Sequence, residues 1–278
     1  MKQYPCILSI AGSDCSGGAG IQADLKTISA LGAYAATAIT AVTVQNTCGV
    51  TNVHPIPPMV VEGQIEAVMT DLSPHAVKIG MVTDSQTVRA IVRCLLRHQP
   101  PFIIFDPVMV STSGRQLMDT EALEAVTNEL MPHCTLITPN LPEAELLLEQ
   151  PIATTEEMCG AARKLLRYGC QAVLLKGGHL EGTLMTDVLQ LAQEPEPYLF
   201  TASRVNSSNT HGTGCTLSSA IATFLALGSP LSRAVEQAKD YVRQALVSGK
   251  DVQTGKGNGP LNHLFSPCPM HIFNQDAQ

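Results

Sequence analysis

The chain has 278 residues, 45% of them apolar and only 4% aromatic, with no Trp and a net charge of −7. This length allows one large domain or two small ones, and the composition specifies an aliphatic core and excludes a disordered or fibrous chain. No block of like charge occurs, which argues against nucleic-acid or anionic-membrane binding, although a few local donors would still hold a phosphate.

In chain order, a first strand is predicted over residues 6–11. It runs into a turn with four glycines, Gly12, Gly17, Gly18 and Gly20, before a helix over 21–31. Gly18-x-Gly20-x-x-Ala23 is a variant of the dinucleotide fingerprint, but residues 38–43 lack the acidic group that would hold a ribose. A loop shaped around another small ligand fits better. Asp24 and Lys26 open the helix, where by themselves they read as a solvated face or as dipole partners. The next strand, 38–44, ends at Gln45-Asn46-Thr47. A side-chain amide there is either part of an Asx-type turn or a paired donor and acceptor suited to the edge of a nitrogen heterocycle.

Helix 58–70, strand 76–79, helix 85–98 and strand 102–105 follow, the last ending in Asp106-Pro107-Val108. After a helix over 120–130, strand 135–137 ends in Thr138-Pro139-Asn140-Leu141-Pro142-Glu143. Asn140 and Glu143 are either the two halves of a capping box or oxygen donors toward Mg²⁺ beside a phosphate. Helices over 142–148 and 156–168 precede strand 172–175, which ends in Lys176-Gly177-Gly178-His179. Lys176 is either a point charge for polyphosphate or an edge-strand lysine, whereas His179 reads as structural. Strands over 187–191 and 198–202 follow, and the region 181–197 is expected to form a strand pair near the nucleotide. Helices over 216–227 and 231–247 close the pattern, and the polar tail beyond Ser266 is expected to be loose. Continuous apolar strands alternating with helices predict an α/β fold, doubly wound around a mostly parallel sheet. The loops at the strand ends should then converge on one crevice.

Before helix 216–227 stands Asn209-Thr210-His211-Gly212-Thr213-Gly214-Cys215-Thr216. It is either a capped turn with a small buried Cys or an anion cradle, since a helix N-terminus offers unpaired N–H groups. In the cradle, the dipole is expected to favour the Cys215 thiolate. Nine cysteines without C-x-x-C spacing give neither a zinc site nor a disulfide framework. Together with an N-terminus that lacks a signal peptide, they predict a reduced, cytoplasmic protein.

Taken together, these segments resemble the ribokinase superfamily, and within it the hydroxymethylpyrimidine/phosphomethylpyrimidine kinases of thiamine biosynthesis. The resemblance is carried by residues 10–26 (I-A-G-S-D-C-S-G-G-A-G-I-Q-A-D-L-K), 44–50 (V-Q-N-T-C-G-V), 78–81 (K-I-G-M) and 106–109 (D-P-V-M). It continues through 137–143 (I-T-P-N-L-P-E), 176–179 (K-G-G-H), 209–217 (N-T-H-G-T-G-C-T-L) and 257–263 (G-N-G-P-L-N-H). It implies one three-layer αβα kinase domain over residues 1–265 with little or no lid, a tail over 266–278, ATP and Mg²⁺ as co-substrates, and a homodimer.

It also implies roles by position. Gly12, Asp24, Gln45, Met81 and Val108 would hold the pyrimidine. Asp106 and Glu143 would arrange the metal, while Asn140, Glu143, Lys176, Thr210 and Lys239 would face the nucleotide. Gly212, Thr213, Gly214 and Cys215 would form the anion hole, with Cys215 activating the hydroxyl and Lys176 neutralising the transferred group. The alternatives are a pyridoxal or pyridoxine kinase, an enzyme with both activities, a sugar kinase, or a non-catalytic binding protein. Gln45-Asn46-Thr47 favours the pyrimidine, because the pyridoxal-type branch carries Met-Asp there.

Overall fold

The structure is a computed structural model that describes residues 2–109, 118–178, 180 and 182–274. Its elements, in order, are β1 (Lys2–Gln3), β2 (Cys6–Asp14), α1 (Gly20–Ala30), β3 (Tyr34–Asn46), β4 (Gly49–Pro55), α2 (Pro58–Leu72), β5 (Ala76–Ile79), α3 (Ser85–His98) and β6 (Ile103–Phe105). There follow α4 (Thr120–Ala125), β7 (Leu136–Ile137), α5 (Leu141–Leu148), α6 (Thr155–Leu165), β8 (Ala172–Leu175), β9 (Leu184–Leu191), β10 (Tyr198–Ser203), α7 (Thr213–Ala226), α8 (Leu231–Gly249) and β11 (Phe273–Asn274).

Among the described residues the main sheet has nine strands in the order β10-β9-β8-β7-β6-β5-β2-β3-β4. The six from β8 to β3 are mutually parallel, and β4, β9 and β10 join antiparallel at the two edges. The central strands β5, β6 and β8 are buried at every residue, as continuous apolar runs require when helices cover both faces. Alternate residues feed two cores. Leu8, Ile10, Val77, Ile79 and Phe105 pack toward the side of α2, α3 and α6. Ile7, Ile104 and Leu174 pack toward α1, α7 and α8. The expected three-layer αβα, ribokinase-like arrangement is present.

Local chemistry sets the helix ends. α3 has the predicted bounds because Asp84 accepts the Thr87 N–H at 2.8 Å, and Gln99 closes it in a left-handed conformation. The helix predicted over 120–130 divides, with α4 passing into a π-turn over Val126–Leu130. The sequence did not announce β4. Its composition, G-V-T-N-V-H-P, is that of a turn, and most of it is exposed, so no apolar run marks it. The tail is held, not loose, as far as residue 274. Cys268 and His271 donate their N–H groups to the Ala30 and Gly32 carbonyls at 2.8 Å, and β11 pairs with β1. No described helix is long and apolar enough to cross a membrane.

The parallel strands share one direction, so their C-terminal ends carry Asp14, Gln45, Met81, Asp106, Asn140 and Lys176 to a single sheet edge.

Candidate active site

A cleft of about 1060 Å³ lies along that edge. Every site residue expected from the sequence lines it, apart from Asp24.

Its floor is the N-terminus of α7. Gly212 occupies the N-cap in a left-handed conformation, φ 84° and ψ 8°, and no side chain caps the helix. A side chain at Gly212 would run into the Gly18 carbonyl, so only glycine allows the loop and helix to meet. The first-turn N–H groups are therefore turned toward the cleft with the positive end of the dipole behind them. Thr210 shapes the approach by accepting the Thr213 hydroxyl at 3.0 Å.

Asp106 and Lys176 face this helix end. A Cβ on Gly214 would stand 3.3 Å from Asp106 Oδ2 and 3.4 Å from Lys176 Nζ. Lys176 Nζ donates to Asp106 Oδ1 at 2.8 Å, and the Thr138 hydroxyl donates to the same oxygen at 3.0 Å. Burial opposes both charges. The attraction of Lys176 and Lys78 nevertheless holds Asp106 below the usual carboxylate range, and Asp106 with Glu143 holds Lys176 above its own.

Asn140 and Glu143 form the capping box: Glu143 N donates to Asn140 Oδ1 at 2.9 Å and Asn140 N to Glu143 Oε2 at 2.8 Å. The box leaves Glu143 on the cleft wall, where burial and the neighbouring Asp106 charge push its carboxyl up to about 7 against Lys176. In the ligand-free protein this raised pKa carries stability that is present below about pH 4.5 and lost as the pH rises through about 7. We predict that the melting temperature of ligand-free Glu143→Gln declines less than that of the unmodified protein between pH 5 and 7.5. Equal slopes would contradict the raised pKa.

Cys215 overturns one expectation. Burial pushes its thiol up to about 11; among the nearby charges Lys78 acts most strongly and downward, with the Gly20 N–H, while the Asp24 and Asp106 carboxylates push it up. The free protein therefore holds a neutral thiol, not the thiolate that the helix dipole alone would favour.

Asp24 requires a second correction, because it does not belong to the pyrimidine pocket. It is fully buried under the cleft, paired with the equally buried Lys78, whose Nζ lies 2.9 Å from both carboxylate oxygens. Ser9 and Ser219 donate their hydroxyls to it as well, at 2.5 and 2.7 Å. Ser219 stands one helical turn beyond Cys215 on α7, so the pair supports the catalytic helix from below.

Gln45, Gly12, Met81 and Val108 all line the cleft, and Met81 packs directly against Gly12. Two residues given no role from the sequence join them. The Asp14 carboxylate gathers the N–H groups of Ser16, Gly18 and Ala19, and His211 lies against it. The glycine turn is therefore organised around Asp14. Elsewhere in the cleft Lys239 forms an ion pair with Asp187, which also accepts the Gly177 N–H at 2.8 Å. The pairing of β9 with β10 brings Asp187 and Ser203 to this part, where Arg243 donates to the Ser203 carbonyl at 2.9 Å. His179 lies outside the described residues.

Among the described residues no three His, Cys, Asp or Glu side chains cluster as a metal cage. Asp106 and Glu143 fit a different use, in which one or two carboxylates share a cation with phosphate oxygens and water. The crowding that keeps Glu143 near 7 is what an added cation would relieve.

An uncapped helix N-terminus facing a Lys–Asp pair, at the sheet edge of a ribokinase-like fold, defines a small-molecule phosphotransferase. The chain matches the family profile described as phosphomethylpyrimidine kinase over residues 14–262, and it belongs to that family. It is 47% identical over 260 residues to the hydroxymethylpyrimidine/phosphomethylpyrimidine kinase of Salmonella typhimurium, covering 93% of this chain and 97% of that protein. The crystal structure of phosphomethylpyrimidine kinase from Clostridium difficile superposes with a TM-score of 0.77 at 42% identity, over 87% of this chain and 99% of that one. The pyridoxal kinase of Staphylococcus aureus, solved with AMP-PCP and pyridoxal, reaches a TM-score of 0.85 at 30% identity, over 98% of this chain and 99% of that one. The backbone is thus common to kinases of two heterocycles, and sequence identity separates them.

Proposed function

We propose that this chain transfers a phosphoryl group from ATP to the hydroxymethyl group of an aminopyrimidine, and then a second one to the resulting monophosphate. The product is the pyrimidine diphosphate used in thiamine biosynthesis. The observation that carries this reading is the meeting of Gly212–Cys215 with Asp106 and Lys176 at the uncapped start of α7.

The substrate hydroxyl lies against Cys215 and attacks the γ-phosphorus. The new O–P bond forms as the bond to the β-phosphate oxygen breaks, and ADP leaves. A loose transition state needs positioning and charge stabilisation more than early proton removal. A neutral Cys215 thiol fits that need by orienting the hydroxyl, whose proton passes late to an oxygen of the transferred phosphoryl group and from there to solvent. The N–H groups of Gly214 and Cys215 and the Lys176 ammonium take up the charge on the moving phosphoryl oxygens. Mg²⁺, when bound, would neutralise phosphate charge, with Asp106 and Glu143 as the side chains placed to hold it. Lys239 and Thr210 serve the nucleotide. A homodimer belongs to the same reading, with the exposed Val42 and Val44 of β3 as apolar surface for it.

The likeness to pyridoxal kinases makes pyridoxal the second substrate to test. ATP consumption is measured with hydroxymethylpyrimidine, its monophosphate and pyridoxal in parallel. Turnover of both pyrimidines, faster than of pyridoxal, is expected. Faster turnover of pyridoxal would overturn the pyrimidine reading.

A further inference from the structure

Four side chains lining the cleft form a hydrogen-bond chain whose direction can be worked out. His211 Nε2 lies 2.8 Å from Asp14 Oδ2 and 3.2 Å from Gln45 Nε2. The Thr43 hydroxyl lies 3.2 Å from Gln45 Oε1 and 2.9 Å from the Ser13 carbonyl.

Asp14 is an acceptor only. Against its burial, bonds from His211, Ser16 and Ala19 hold its carboxyl down to about 2. His211 therefore presents Nε2–H to it, in the neutral and the charged ring alike. A ring N–H cannot accept a bond from an amide NH₂. Thr43 meets a matching obstacle, because its single proton goes to the Ser13 carbonyl and cannot also go to the Gln45 oxygen. Turning the amide end for end relieves both conflicts. The nitrogen then donates to Thr43 Oγ, and the oxygen faces the His211 ring N–H, whose single proton stays on the shorter bond to Asp14 and reaches the amide oxygen only as a weaker shared branch. The two ends of an amide have nearly the same shape, so the turn needs no other movement. Gly18 leaves no room for a side chain beside the His211 ring, which fixes the ring in place.

We propose that Asp14, His211 and Thr43 lock the polarity of the Gln45 amide, so that the site selects an amino donor beside a ring-nitrogen acceptor over the reversed pattern. This deepens the pyrimidine reading and rests on it. The Gln45 oxygen accepts from the exocyclic amino group, and the Gln45 nitrogen donates to the adjacent ring nitrogen. The hydroxymethyl group must face Cys215, so the ring cannot be laid the other way round. A 4-oxo ring, with a carbonyl beside a ring N–H, would need the amide reversed and would leave it unpaired against His211 and Thr43. His211 and Thr43 are positioning residues that act through Gln45.

The test is the ratio of dissociation constants for 4-amino-5-hydroxymethyl-2-methylpyrimidine and its 4-oxo counterpart, with ATP affinity as a control. A bidentate pair discriminates by roughly 5- to 150-fold, so the unmodified protein should prefer the amino ring by on the order of 30-fold. In His211→Phe and in Thr43→Val the amide can rotate, and the ratio should fall below about 10-fold while ATP affinity stays constant. Binding is read directly, so a slow variant still reports. If His211→Phe does not fold, Thr43→Val decides alone. An unchanged ratio in the folded variants, or a preference of the unmodified protein for the oxo ring, overturns the lock. Failure of the unmodified protein to bind either ring would instead overturn the pyrimidine reading beneath it.

Discussion

Cys215→Ala should lower kcat by at least about 100-fold, the usual scale for losing a group that positions or exchanges a proton with the reacting atom. ATP should still bind, because the N–H groups at the start of α7 belong to the backbone and Lys176 and Lys239 are untouched. Steady-state turnover together with direct nucleotide titration checks both halves. The expectation rests on placement. Cys215 lies on the cleft wall in the first turn of an uncapped helix, beside the glycine that faces Asp106 and Lys176. It does not rest on a thiolate, since the thiol is held neutral at about 11. Near-unmodified turnover in Cys215→Ala would remove Cys215 from the mechanism and leave the anion hole and Lys176 to do the work.

Lys78→Met should destabilise the protein by about 3–5 kcal/mol, the cost of leaving one member of a buried ion pair without its partner. Asp24 would keep only the hydroxyls of Ser9 and Ser219 in a fully buried position. Burial opposes the charge on Lys78, yet the Asp24 carboxylate holds its pKa well above the ordinary lysine range. The charged pair is therefore the resting state. Adding Asp24→Asn to Lys78→Met should recover much of the loss, because the asparagine retains both serine bonds without a net charge. Denaturant unfolding of the two variants measures this. A Lys78→Met protein within about 1 kcal/mol of the unmodified one, or a double variant no better than the single, would show that the pair does not hold α1, α7 and β5 together.

The legible residues are those whose chemistry is local. Lys176 and Asp106 each follow an apolar strand, and a charge at such a position has only the sheet edge to go to. Gly212 caps α7 and Gly214 lies in its first turn, so their use as an anion cradle could be read from eight consecutive residues. Partners remote in sequence were not legible. Asp24 looked like an ordinary first-turn acid because its partner Lys78 is 54 residues away. His211 received no role from the sequence because its partner Asp14 lies 197 residues before it. The charge state of Cys215 was misjudged for the same reason. The local helix dipole favours a thiolate, but burial and the carboxylates of Asp24 and Asp106 come from other elements and reverse the sign. Fold class survived these errors because alternating buried strands and amphipathic helices are a pattern of the whole chain, insensitive to any one pair. The strand β4 escaped because its stability comes from backbone pairing with β3 and not from apolar side chains.

The most direct test of the account is the product formed from hydroxymethylpyrimidine with excess ATP and Mg²⁺, identified by mass and by phosphorus NMR as the reaction proceeds. The account predicts the monophosphate first and then the diphosphate, both made in the one cleft and both slowed by at least about 100-fold in Cys215→Ala. A reaction that stops at the monophosphate would contradict the second transfer, and no phosphorylated pyrimidine at all would contradict the assignment of the site.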